Sequence, residues 1–263
     1  MSASKNVFWS RLPLGPDVSL LAVDANGLAA FSKPAGVLSH PNRISEQPRA
    51  LLTARYVEDG EYYEWEQTFD DGGTPETAGK KSSVRRRLWL LNRLDSATSG
   101  VLLVASSQKL ADTIRALFQQ RHVRKVYNAL VFGVPSESKQ VWRDRLAVQK
   151  KGAQIRTVAG GNVPSESHMR VLAQRRTGVP LALLQLEPKT GRSHQLRVQC
   201  AQRKLPIVGD ATYGDFRANR DFTKATGLKR MFLHSLETSF SYSFEGKEFS
   251  FATKAPLPPE FLF

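Results

Sequence analysis

Residues 88–106 read LWLLNRLDSATSGVLLVAS. The apolar runs at 88–91 and 101–105 are too short for a buried helix and the right length for core strands. Between them Arg93 and Asp95 lie two residues apart. A strand on each side anchors this polar stretch, so the fold must bring a charged pair to a fixed point beside its core. The remaining apolar runs have the same length. Runs 20–23 and 28–31 flank Asn26 and Gly27, a hairpin turn signal. Runs 126–132, 141–149, 155–158, 168–173 and 181–186 read as further strands, and 232–244 with 247–253 as a closing hairpin through Glu245 and Gly246. Strands in sequence-adjacent pairs predict an α+β fold with a mixed, largely antiparallel central sheet and flanking helices and loops.

Helices are fewer. Residues 107–120 carry Leu110, Ile114, Leu117 and Phe118 on one face, after a serine cap at Ser106 or Ser107. Residues 193–202 and 48–57 are read as two more. Residues 58–76 are acidic and aromatic, and Lys80, Lys81, Arg85, Arg86 and Arg87 follow at once. Gly72, Gly73 and Pro75 mark the junction as a mobile loop. Such charge blocks form solvated faces or flexible tips, or the basic half tracks a phosphate backbone.

With 38 Lys and Arg against 24 Asp and Glu, the net charge of +14 points to a polyanionic partner, nucleic acid before an anionic membrane. The single cysteine, Cys200, excludes an internal disulfide or a cysteine-based zinc site. No apolar run approaches the roughly 18 residues of a membrane span, and the N-terminus lacks a signal-peptide core. A cytoplasmic monomer is expected. Several motifs fail. GTPETAGKKS, residues 73–82, has the wrong glycine spacing and a lysine where a P-loop needs Ser or Thr. No dinucleotide fingerprint or nucleophile elbow occurs, and the five histidines are scattered without ligand spacing. Neither a metal nor a cofactor is expected.

Asp95 has two readings from its own surroundings. It starts a turn and caps backbone amides with Ser96, Thr98 and Ser99, or it is a reactive carboxylate. The stretch LEPKTGRSHQLRVQC, residues 186–200, bears on the choice. Its turn supplies Lys189 and Arg192 and its helix Arg197. A carboxylate in a partly dry site needs a cation beside it, and arginine suits because it stays charged and binds in a fork. A strand-tethered aspartate, an arginine-rich turn and a strong positive charge together suggest a carboxylate acting on nucleic acid.

At this point the residues resemble a known family. NRLDSATSG, residues 92–100, is similar to the HRLDxxTSG signature of RluA-type RNA pseudouridine synthases. FSKPAG at 31–36, KVYNALVFG at 125–133, and TGRSHQLR at 190–197 with PIVGDATYG at 206–214 resemble further motifs of that family, in the expected order. Asn92 stands where the family usually has histidine, Gln199 and Cys200 replace a commoner histidine-containing pair, and segment 58–87 is longer than usual. No separate N-terminal RNA-binding module is expected.

The resemblance implies an enzyme that isomerises specific uridines of ribosomal or transfer RNA to pseudouridine, with no cofactor or metal. Asp95 would be the catalytic carboxylate, Arg197 its counter-ion and Tyr127 the ring against the target base. Arg93 would hold the space vacated by a flipped uridine, and Lys125, Arg192 and His194 would contact RNA or support the site. The alternative is a non-catalytic RNA-binding or ribosome-assembly protein on the same fold. Residues 20–255 would form the catalytic domain with a charged insertion at 58–87, between an N-terminal extension (1–19) and a C-terminal tail (256–263).

Overall fold

The computed structural model describes residues 8–70, 81–151 and 154–262. Its strands in chain order are β1 (Ser19–Val23), β2 (Leu28–Lys33), β3 (Arg55–Val57), β4 (Tyr62–Asp70), β5 (Lys81–Leu90), β6 (Ser99–Ala105), β7 (Arg124–Phe132), β8 (Lys139–Lys151), β9 (Gln154–Ala159), β10 (Val163–Arg175), β11 (Leu181–Pro188), β12 (Leu233–Phe244) and β13 (Lys247–Lys254). The helices are α1 (Gln108–Gln119), α2 (Gln195–Gln202) and α3 (Phe216–Thr226). The strands form one sheet in the order β3-β4-β5-β6-β12-β7-β11-β10-β8-β9. β2 joins it by pairing β6 and β1, and β13 by pairing β12. β6 and β12 run parallel, whereas the neighbouring pairs are antiparallel. The mixed, largely antiparallel sheet is the one the strand pattern predicts.

β6 is buried on both faces, which is why its sequence is apolar without alternation. Val101, Leu103 and Ala105 pack with Leu110, Ala111 and Ile114 of α1. Leu102 and Val104 point the other way, to Phe31, Leu51, Tyr63 and Leu88. Each such side chain contributes about 1.5–3 kcal/mol of burial, so the strand that carries the Asp95 loop is firmly fixed. α1 starts as read, with the Ser107 hydroxyl accepting the Leu110 N–H.

One level of the sheet matters for the site. Gly100 of β6 lies beside Ser235 of β12, Ser235 beside Tyr127 of β7, and Tyr127 beside Leu186 of β11. That row brings the loop before β6, Tyr127 and the turn after β11 to one place. Gly100 permits the closest step in the row. Its φ is +113°, and a β-carbon there would sit 2.1 Å from the Ser235 carbonyl oxygen. Backbone cannot yield as a side-chain tip can. Gly100→Ala is expected to cost about 2–4 kcal/mol of stability, measured as a lower urea midpoint; an unchanged midpoint would contradict this seam.

The structure corrects the helix read over 48–57. A 3-10 turn, Ile44–Arg49, precedes extended chain and then β3. Pro48 lacks an N–H, and the following backbone finds partners outside the segment. Leu51 donates to the Leu38 carbonyl, and Gly15 donates to that of Leu51. The turn signals at Gly72, Gly73 and Pro75 lie outside the described residues. The charged arms on either side are paired strands rather than flexible tips: β4 pairs β5, placing Glu64 opposite Arg87 and Glu66 opposite Arg85. α3 went unread. Asp215 caps it by accepting the Arg217 and Ala218 N–H groups, and Gly227 ends it at φ 73°. At the C-terminus Phe261 is fully buried against Phe232. Among the described residues no helix is long and apolar enough to cross a membrane.

Candidate active site

Asp95 lies on the loop between β5 and β6, which is tied down from one side by residues 33–39, the end of the FSKPAG stretch and the chain just after it. The Ser39 hydroxyl accepts the Leu94 N–H and donates to the Leu94 carbonyl. Gly36 donates its N–H to the Ser96 carbonyl at 2.7 Å. The Lys33 ammonium is fully buried and donates to the carbonyls of Pro34, Val37 and Ser96. One lysine thus joins the end of β2 to the residue after Asp95.

Burial lowers the Lys33 pKa to about 7, while the Asp95 charge pulls it up and Arg230 pushes it down. An unfolded lysine titrates near 10.4. Above pH 7 the unfolded chain therefore binds the additional proton, and stability rises with pH. Urea unfolding should show a gain of about 1–2 kcal/mol between pH 7 and 8.5, below the range where the raised pKa of the buried Cys200 thiol acts in the opposite direction. Lys33→Met should be less stable and should lack this rise; an equal rise in the variant would exclude Lys33 as its source.

From the other side comes α2. It is buried almost all round, with Gln195 to Cys200 inside, so it shows no clear apolar stripe. Its start differs from the reading: the helix begins at Gln195, and His194 before it is left-handed at φ 54°. Gln195 braces the turn, accepting from the Thr190 hydroxyl and the Arg192 N–H and donating to the Glu166 carbonyl.

Arg197, 8% exposed, is the hub. Its Nη1 donates to Asp95 Oδ2 at 2.8 Å, and its Nε and Nη2 fork onto Asp210 at 2.7 and 2.8 Å. Burial works against the guanidinium charge, but Asp210 and Asp95 outweigh it and raise the pKa. For Asp210 burial is likewise overcome, by Arg197 and by N–H donation from Tyr213 and Thr212, and its pKa falls. The two carboxylates differ in access: the Asp210 side chain is 1% exposed and that of Asp95 31%. Asp210 is a sealed counter-ion, whereas Asp95 can meet a substrate.

The other predicted residues divide. Tyr127 packs between two core clusters, one containing Leu186 and the other Leu94. Burial raises its pKa to about 12, opposed by a hydrogen bond with Ser235 and reinforced by Asp95, so the phenol keeps its proton at neutral pH. His194 Nε2 lies 3.7 Å from Asp95 Oδ1. Arg93 is exposed and forms no ion pair with Asp95, whose partner is Arg197. Lys125 is half-buried against the 190–194 turn, where a β-carbon on Gly191 would be 3.7 Å from its Nζ. Burial lowers its pKa. The Arg192 Nε is buried without a protein partner. Lys125 also lines a cleft of about 170 Å³ with Arg121, Arg124 and Lys189. A larger cleft of about 540 Å³, at the Ser106 end of β6, contains none of the predicted site residues. Among the described residues no three His, Cys, Asp or Glu side chains are grouped to hold a metal.

Sequence reasoning missed Lys33, Asp210 and Tyr213. Each lies in a stretch already singled out, FSKPAG or PIVGDATYG, and Asp210 is the sole acid of the latter. A carboxylate among apolar and glycine residues was the available signal that Arg197 has a second partner.

A largely antiparallel sheet with a solvent-open aspartate seated on a buried arginine fits one class of RNA-modifying isomerase, the RNA pseudouridylate synthases; residues 27–202 match that family, and the chain belongs to it. It is a pseudouridine synthase, an isomerase. The tRNA pseudouridine synthase C of Yersinia pestis is 32% identical over 251 residues, 88% of this chain and 84% of that protein. The ribosomal large subunit pseudouridine synthase C of Vibrio parahaemolyticus is 35% identical over 157 residues, 60% of this chain and 48% of that one. The solved structure of human RNA pseudouridylate synthase domain containing 1 shares the fold, with a TM-score of 0.62, 23% identity, and coverage of 93% of this chain and 86% of that one.

Proposed function

We propose that Asp95 is the catalytic carboxylate and acts on a uridine flipped out of transfer RNA. One observation carries the reading: Arg197 holds two carboxylates, and Asp95 is the one open to solvent. In the isomerisation the N1–C1′ bond breaks, the uracil turns, C5 bonds to C1′, the C5 hydrogen leaves as a proton, and N1 takes up a proton. Atoms balance without a co-reactant. Arg197 orients the carboxylate, and Tyr127 lies against the base with its hydroxyl proton in place. A base within a duplex is out of reach, so the exposed Arg93 enters the vacated space. Lys125 and Arg192 take flanking phosphates, which suits cations that have no carboxylate partner among the described residues. Transfer RNA is favoured over ribosomal RNA because the tRNA-named relative matches more of the chain.

The test is tritium release from RNA labelled at uridine C5. Transfer RNA transcripts should release about one equivalent per molecule modified. Release from ribosomal RNA alone would redirect the substrate assignment, and release from neither would overturn it.

A further inference from the structure

His194 makes contacts that the reading above leaves unused. Its left-handed φ of 54° is costly for a side chain with a β-carbon. That backbone turns the ring so that Nε2 stands 3.7 Å from Asp95 Oδ1, while Arg197 holds Oδ2 at 2.8 Å. The two groups divide the carboxylate, one oxygen each. On the far side of the ring, Nδ1 is 2.9 Å from the Tyr213 hydroxyl. That hydroxyl accepts the Thr157 N–H of β9 at 2.8 Å. The Arg197 guanidinium also lies 5.0 Å from the centre of the Tyr213 ring. A single phenol therefore braces both groups that face Asp95.

The negative charge of Asp95 beside Nε2 favours the tautomer with its proton there. In that tautomer Nδ1 is bare and accepts the Tyr213 proton, while the Tyr213 oxygen accepts from Thr157.

We propose that His194 is a positioning residue for Asp95. Its Nε2–H, aimed by Tyr213, sets the rotation of the carboxylate and closes on Oδ1 when uridine fills the site, leaving the other lone pair of that oxygen for the substrate. The proposal rests on Asp95 being the catalytic carboxylate.

Two amide variants separate this role from a structural one. In His194→Gln the amide nitrogen falls near the place of Nε2. In His194→Asn it falls near Nδ1, where it keeps a partner for Tyr213 but offers nothing to Asp95. The left-handed backbone favours Asn over Gln, so strain alone predicts the opposite order of activity. The readouts are single-turnover tritium release, with enzyme in excess over the C5-labelled RNA that the wild type turns over, and filter binding of the same RNA. His194→Asn should slow release by about 10–100-fold with the RNA Kd changed less than about twofold. His194→Gln should recover the rate to within about fivefold of wild type.

A pH profile gives a second readout. The charged and titratable groups facing His194 are Asp95 from its loop, Arg197 from α2, and Asp210 and Tyr213 from the loop after α2; β9 adds the Thr157 N–H through Tyr213. Burial holds the His194 pKa below its usual 6.5, with Asp95 pulling upward and Arg197 downward. As pH falls through that value the imidazolium forms, Nδ1 turns from acceptor to donor, and the wild-type rate should drop. The drop should be absent in His194→Gln. Equal or better activity of Asn than Gln, a loss confined to Kd, or an acid limb that persists in His194→Gln would each overturn the proposal. Asp95→Asn serves as the control. Activity in that variant overturns the Asp95 reading itself, whereas an inactive Asp95→Asn with the Gln and Asn order reversed overturns this inference alone.

Discussion

Asp95→Asn is expected to lower pseudouridine formation by a factor on the order of 10⁴ or more, about 5.4 kcal/mol of transition-state stabilisation, while RNA binding changes little. The amide is nearly isosteric and its oxygen can still accept from Arg197 Nη1, which now donates to Oδ2 at 2.8 Å. The fold should therefore survive, because the loop is held by Lys33, Ser39 and Gly36 rather than by the carboxylate. Arg197 still has Asp210 as its counter-charge, on two hydrogen bonds. What disappears is a charged oxygen at the one place where the arginine's carboxylates meet solvent. Thermal unfolding within a few degrees of wild type, with no turnover, is the expected pair of results. Turnover within tenfold of wild type would remove Asp95 from the chemistry.

Arg197→Met is expected to damage both stability and activity, and a second substitution separates the two. Without the guanidinium, Asp210 is a sealed charge with only backbone donors, those of Thr212 and Tyr213. Removing one partner of a buried ion pair costs about 3–5 kcal/mol. Adding Asp210→Asn replaces the stranded charge by an amide that can still accept those N–H groups. The double variant should regain a large part of the lost stability, measured by urea unfolding. It should not regain activity, because Asp95 still lacks its donor; a fall of about 10²–10³ is expected in both variants. Arg197→Lys should rank between wild type and Arg197→Met in stability, since an ammonium cannot fork onto Asp210 and reach Asp95 together. Recovery of activity in the double variant would show that Arg197 acts only by supporting the fold.

The parts of the fold that were legible in the sequence were those governed by local periodicity. β6 and α1 follow from an apolar run and a 3.6-residue stripe, and the hairpin through Gly27 from its turn chemistry. Segment 48–57 was misread because its backbone partners, at Leu14 and Leu38, are distant in sequence, and propensity carries no record of them. The β4–β5 hairpin was hidden by its charge. Glu64, Glu66, Arg85 and Arg87 alternate at period two like any strand face, but the face is polar, and apolar periodicity does not see it.

The site divides along the same line. Residue types and motif resemblance selected Asp95 and Arg197, and the 2.8 Å contact is what that pairing requires. Arg93, two residues away and so the first partner to suspect, stays exposed, and the buried Arg197 of α2 takes the contact with Asp95. Asp210 left only a faint signal, as the sole acid of its stretch, because sequence does not reveal that one guanidinium serves two carboxylates. His194 was seen, but its role depends on which ring nitrogen faces Asp95, and that follows from Tyr213 and Thr157, on two different segments.

Rearrangement of uridine within an RNA chain through Asp95 is tested by incubating the pure protein with unmodified transfer RNA transcript and analysing the nucleosides after complete digestion. Pseudouridine should appear in equal amount to the uridine lost, with no free uracil, and neither change should occur with Asp95→Asn. Free uracil with an abasic RNA, or pseudouridine formed equally well by Asp95→Asn, would contradict it.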